Sequence, residues 1–221
     1  MIKGNSKVRV VFGKRGSGKT LLAGNLVQRL DCGRVLYYDS NGHDYSDGVV
    51  CEGVPALRQY WRRVVDGDFS IVFRSITPRE DFGEVCALVM ACGDMVFVVD
   101  EVDMYFDDGK PCEAFADVIR RGRHEDIELI GITQRPCAMG EIRSMAQELY
   151  LFDTHEPSDL SYYRQSFSEA IVEAIKQLKQ FEYVKVILPY DESRLEICKE
   201  DNGQTRTITK PAEMDKPEEP G

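Results

Sequence analysis

An octapeptide, GKRGSGKT, runs from Gly13 to Thr20 directly after the apolar stretch Val8 to Phe12. Gly13, Gly16 and Gly18 allow the backbone to curl into a concave nest whose N–H groups converge on one spot. Beyond the octapeptide, Leu22, Leu26 and Leu30 recur at helical spacing, with Val27 beside them. The pattern predicts a buried strand, a glycine turn and an amphipathic helix from about Lys19 to Leu30. The positive end of that helix falls where the nest points. G-x-x-x-x-G-K-[ST] in this setting is the signature of a loop that cradles the phosphates of a nucleoside triphosphate. Its candidate residues are Gly13, Lys14, Arg15, Gly16, Ser17, Gly18, Lys19 and Thr20. The Lys19 ammonium is placed to reach the β- and γ-phosphates, and the Thr20 hydroxyl to ligate Mg²⁺. ATP with Mg²⁺ is the expected ligand pair.

Further apolar runs predict strands at Arg34 to Asp39, Ser70 to Arg74, Met95 to Asp100, Glu128 to Thr133 and Glu148 to Phe152. Helices are expected at Glu80 to Ala91, Cys112 to Arg121 and Ser158 to Phe181. Tyr183 to Leu188 and Leu195 to Cys198 read as a closing hairpin at the sheet edge. Near-continuous apolar strands alternating with helices imply an α/β fold with a mostly parallel sheet, covered by helices on both faces. Ligands of such sheets bind beyond the carboxyl ends of the strands. The polar residues there are Asp39, the pair Asp100 and Glu101, and Gln134.

MVFVVDE, Met95 to Glu101, ends a very apolar strand in two adjacent acids. Buried carboxylates are costly unless a cation or a reaction uses them. Asp100 is the candidate Mg²⁺ holder, and Glu101 the base that polarises an attacking water. That second acid favours hydrolysis over transfer to a small acceptor. Asp103 reads as a cap or solvated residue. Gln134, ending the next strand, is placed to hydrogen-bond the γ-phosphate or the water. RRGRHED, Arg120 to Asp126, reads either as a solvated turn or as the source of an arginine finger for a neighbouring subunit.

The chain has 221 residues, 43% hydrophobic and 30% charged, the make-up of one globular domain. The expected division is an ATPase domain over 1–210 and a disordered acidic tail over 211–221. No stretch approaches eighteen uninterrupted apolar residues, so no transmembrane segment is expected. The seven cysteines are odd in number and scattered, with no C-x-x-C pair. They read as packing residues or surface thiols in a reducing compartment, cytoplasmic or virion-associated. A formal net charge of −10 argues against a surface broadly coated for nucleic acid. Two weak candidates for a nucleic-acid contact are the loop Asp103 to Pro111, with Tyr105, Phe106 and Lys110, and the helix carrying Lys176 and Lys179.

GKRGSGKT, then MVFVVDE, then RRGRHEDIELIGITQRP, in that order, resemble the FtsK–HerA superfamily of RecA-like P-loop ATPases. EIRSMAQELYLFDTHEPSDLSYYR, Glu141 to Arg164, resembles the segment that follows the glutamine in that family. The resemblance spans roughly Val8 to Arg164. It implies catalytic roles for Lys19, Glu101 and Gln134. It also implies an arginine finger at Arg123, with Arg120 and Arg121 as second choices. It further implies an oligomeric ring, often a hexamer, that translocates DNA. The compact chain is most similar to viral genome-packaging ATPases, with a capsid or membrane-associated docking protein as a further expected partner. The second reading is a zonula occludens toxin-like phage assembly ATPase that does not translocate DNA. A P-loop kinase is a weaker third.

Overall fold

The computed structural model describes residues 6–40, 42, 45, 48–136, 140–201 and 204–209. In chain order the elements are β1 (Val8–Phe12), α1 (Lys19–Leu30), β2 (Arg34–Tyr38), β3 (Val49–Glu52), α2 (Gly53–Val64), β4 (Phe69–Arg74), α3 (Pro78–Cys92), β5 (Met95–Val99), a two-residue pair β6 (Phe106–Asp107) and β7 (Lys110–Pro111), α4 (Glu113–Arg121), β8 (Ile127–Thr133), α5 (Gly140–Met145), β9 (Glu148–Phe152), α6 (Pro157–Ser166), α7 (Glu169–Gln177), β10 (Glu182–Ile187), β11 (Glu196–Asp201) and β12 (Gln204–Thr209). Among the described residues one sheet holds ten strands in the order β12-β11-β10-β9-β1-β8-β5-β2-β4-β3. From β9 through β3 every pairing is parallel, and β10, β11 and β12 close the other edge antiparallel. This is the mostly parallel α/β sheet that the apolar strands imply.

Alternation along β1 explains the two cores. Val8, Val10 and Phe12 face one side, where α2 to α7 pack. Val11 faces the other, where α1 contributes Leu22, Ala23, Leu26 and Val27. Both faces are covered, but unequally: among the described residues α1 is the one helix with residues in the second core. Each core is nearly all aliphatic and aromatic, and burial of that apolar surface supplies the main drive for folding.

Two expectations need correction, and one stretch carried no expectation. The segment Ser158 to Phe181 is two helices, because Phe167 leaves the helical region (φ −133, ψ −95) and extended Ser168 starts α7. The second helix stops at Gln177, short of Phe181. The closing hairpin gains a further strand, β12, whose sequence QTRTIT alternates without a strong apolar side. Residues 49–64 form β3 and α2, which the apolar pattern did not reveal. The helix α2 buries only Leu57 and Trp61, one turn apart.

The expected tail, 211–221, lies outside the described residues. Cys51, Cys86 and Cys198 are buried packing residues and Cys112 is exposed, while Cys137 lies outside the described set. No helix among the described residues is long and apolar enough to cross a membrane.

Candidate nucleotide site

The loop after β1 has the conformation its glycines were read to permit. Gly16 and Gly18 take left-handed φ of 77° and 108°, where a side chain is strained. Gly13 needs its lack of a side chain for another reason. A Cβ there would lie 2.6 Å from Phe152 Cβ and 2.7 Å from Ser17 Oγ. The Ser17 hydroxyl is buried inside the loop and has no hydrogen-bond partner among the described residues. Gly13 N–H donates to the carbonyl of Thr133 at 3.2 Å, which ties the loop to the end of β8.

Lys19 opens α1 and is 9% exposed. Its Nζ donates to the Lys14 carbonyl at 2.9 Å, within the loop's own curve. Burial pushes the Lys19 ammonium below its ordinary pKa, while the charges of Glu101 and Asp100 work against that shift. Lys19 is therefore a cation held ready in a confined space with two acids nearby.

A cavity of about 710 Å³ collects Arg15, Gly16, Gly18, Lys19, Thr20, Asp100, Glu101 and Gln134 from among the residues that the sequence singled out. Thr20, Lys19 and Gly18 form one wall, and Asp100, Glu101 and Gln134 another. Asp100 is 3% exposed at the end of β5. Glu101 turns the chain out of the strand in a left-handed conformation (φ 47, ψ 48), a backbone costing about 1–2 kcal/mol for a residue with a side chain. Strain of this kind persists where packing enforces it. Here Tyr105, four residues on, buries its ring against Phe82 at 3.7 Å and Tyr38 at 5.4 Å. The result brings Glu101 Oε1 within 2.7 Å of Gln134 Nε2.

Two oxygen donors, the Thr20 hydroxyl and the Asp100 carboxylate, border this cavity. Such a small set of hard donors suits Mg²⁺, which keeps waters and takes its other ligands from phosphates. Among the described residues no group of three His, Cys, Asp or Glu side chains forms a separate metal cluster.

Several neighbours were not read from the sequence. Thr133, fully buried, donates from Oγ1 to Asp103 Oδ1 at 2.6 Å and accepts from the Arg135 N–H at 2.9 Å. Asp103 is thus a brace between the ends of β5 and β8 rather than a solvated residue. Lys14 Nζ pairs with Asp153 just after β9. A Thr before the glutamine and an Asp ending an apolar strand were the available signals. Asp39, left open by the sequence, is 2% exposed and accepts from Arg74 Nε at 2.9 Å.

Arg123 is not part of this cluster. It is exposed in the short turn Gly122–Glu125 that precedes β8. The seven residues of β8 separate it from Gln134, roughly 20 Å at strand rise. Arg120 and Arg121 are likewise exposed at the end of α4. The two nucleic-acid candidates fare poorly. Tyr105 and Phe106 are core residues, each 6% exposed. Lys176 pairs with Glu173 at 2.7 Å on its own helix.

No family model matches the chain, and no curated protein sequence matches it. Solved structures do. The genome packaging NTPase B204 from Sulfolobus turreted icosahedral virus 2, in complex with ATP-gammaS, superposes with a TM-score of 0.71 at 21% identity, over 86% of this chain and 96% of that one. B204, the DNA-packaging ATPase from Sulfolobus turreted icosahedral virus, gives 0.68 at 20% identity, over 88% and 97%. VirB4 of Thermoanaerobacter pseudethanolicus gives 0.64 at 14% identity, over 94% and 91%. At such identities the likeness is one of architecture. This chain has the fold of the viral genome-packaging NTPases, in agreement with the FtsK–HerA resemblance of its motifs.

Proposed function

We propose that the chain is a Mg²⁺-dependent ATPase that works as a ring and moves DNA, in the manner of a viral genome-packaging motor. The observation that carries the reading is the shared cavity, in which Lys19, Asp100, Glu101 and Gln134 meet above the phosphate loop. In this mechanism the loop N–H groups and Lys19 bind the β- and γ-phosphates. Thr20 and Asp100 would hold a Mg²⁺ ion, which would supply charge neutralisation for the phosphates. Glu101 accepts the proton of a water aimed at the γ-phosphorus, and the Gln134 amide fixes that carboxylate. A general base contributes about 10²- to 10⁴-fold to rate. Loss of the γ-phosphate changes what Gln134 can bond, which gives the end of β8 a means of reporting hydrolysis. Arg123, exposed and far from its own Lys19, is suited to serve a neighbouring subunit's site. A capsid or membrane-associated docking protein completes the proposed assembly.

The net charge of −10 favours a second reading, a nucleotide-gated assembly ATPase that does not translocate DNA. Steady-state ATP hydrolysis with and without double-stranded DNA separates the two. The motor requires turnover that rises with DNA, through a salt-sensitive contact. Turnover indifferent to DNA sinks the motor and leaves the second reading.

A further inference from the structure

Phe181 is a large aromatic residue in an exposed place. Its side chain is 40% exposed, and its backbone takes a left-handed φ of 67°. It stands in a tight turn between α7 and β10. Glu182 N–H donates to the Lys179 carbonyl at 3.0 Å, and Lys179 N–H donates to Glu182 Oε2 at 2.9 Å. The third residue of such a turn, when φ is positive, is ordinarily Gly or Asn. Neither core burial nor local preference accounts for a phenylalanine there.

Its position supplies a reason. The Phe181 ring lies against the phosphate loop, with Cδ1 2.9 Å from where a Cβ on Gly18 would stand. The ring borders the cavity that holds Lys19, Asp100 and Glu101. It also borders a second cavity of about 380 Å³, lined by Lys14, Phe152 and Lys179 among others. The sheet order fixes the direction. Strands β8 and β5, which carry Gln134, Asp100 and Glu101, lie on one side of β1, and β9 and β10 lie on the other. A triphosphate seated over the loop with its γ end toward Glu101 runs its nucleoside toward β10. An aromatic face stands there.

The geometry points to Phe181 as a stacking platform for the base of the bound nucleotide. This assignment rests on the ATP-site reading above. Stacking on an aromatic ring tolerates any base, because every base has a π-face. The platform thus adds affinity for nucleotides over bare polyphosphate, without setting which base is chosen.

The test compares equilibrium binding of ATP and of inorganic tripolyphosphate, with Mg²⁺, to the whole chain and to Phe181→Gly. Glycine suits the left-handed backbone, so the ring is removed without straining the turn. ATP affinity is expected to fall about tenfold or more, the scale of base stacking on an aromatic ring, while tripolyphosphate affinity stays unchanged. Phe181→Trp should keep ATP affinity, and ATP but not tripolyphosphate should quench the new indole, whose signal stands apart from the buried Trp61. If Phe181→Gly leaves ATP binding unchanged, or weakens both ligands equally, the platform is overturned and the phosphate site stands. If wild type binds neither ligand, the ATP-site reading itself fails and takes the platform with it.

Discussion

Gln134 Nε2 donates to Glu101 Oε1 across 2.7 Å, joining the ends of two neighbouring parallel strands, β8 and β5. The bond gives the carboxylate a fixed direction and gives the amide a charged partner. Glu101→Gln should lower ATP turnover by about 10²- to 10⁴-fold, the worth of a general base, and leave ATP affinity intact. Gln134→Ala should cost about tenfold, the worth of one hydrogen bond to a charged group. Phosphate release and equilibrium nucleotide binding, measured side by side, check both. Turnover undiminished in Glu101→Gln removes Glu101 from the base role.

The loop glycine nearest β1 makes a steric prediction. Gly13→Ala would force a Cβ to within 2.6 Å of Phe152 Cβ, an atom near the backbone that has little room to retreat. Overpacking of this kind costs about 1–3 kcal/mol. The variant should melt several degrees lower and bind nucleotide more weakly, since the Gly13–Thr133 tie must also shift. An unchanged melting temperature would show that the loop moves away from Phe152 freely.

Acid stability should depend on Glu148. Burial alone would raise this carboxyl, but the charge of Arg9 and hydrogen bonds from Lys7, Tyr150 and Arg9 outweigh it and hold the pKa at about 2, below the ordinary 4.5. A folded value below the unfolded one means that the group stabilises the fold above pH 4.5, and that the contribution fades as pH falls toward 2. Chemical denaturation between those limits should show the decline. Glu148→Gln should be less stable than wild type near neutrality and should flatten that part of the profile.

Arg123 carries the prediction about assembly. Arg123→Ala should bind ATP normally and lose about 10³-fold or more of turnover, the worth of an arginine finger. Mixed with Lys19→Ala subunits, it should recover activity, because some boundaries then pair an intact Lys19 with an intact Arg123. Wild-type turnover in Arg123→Ala would assign the role elsewhere, with Arg120 and Arg121 next in line.

What the sequence disclosed follows from locality. The phosphate loop and the acids of Met95 to Glu101 were legible because each is a contiguous motif on a strongly apolar strand. The sheet, too, was legible where strands are buried on both faces. β3, α2 and β12 were hidden because edge strands and a helix with two buried residues carry little apolar pattern. Thr133 and Phe181 were hidden for a different reason. Each acts through a partner distant in sequence: Asp103 lies thirty residues from Thr133, and Gly18 meets Phe181 only after the sheet has formed. No periodicity records such contacts.

The place of β1 has a consequence for biosynthesis. It precedes the other described strands in the chain, yet both its neighbours come late in sequence: Val8 pairs with Leu129 in β8, and Arg9 with Glu148 in β9. Until those residues emerge, the strand that carries the phosphate loop has neither edge paired. Contacts of such long sequence separation must repay their loop-closure entropy before they stabilise anything, so they form slowly. A nascent chain that ends before β8 holds the loop's whole sequence but neither of the strands that flank β1. On the proposed reading, ATP would become a stabilising ligand only once β8 and β9 have flanked β1.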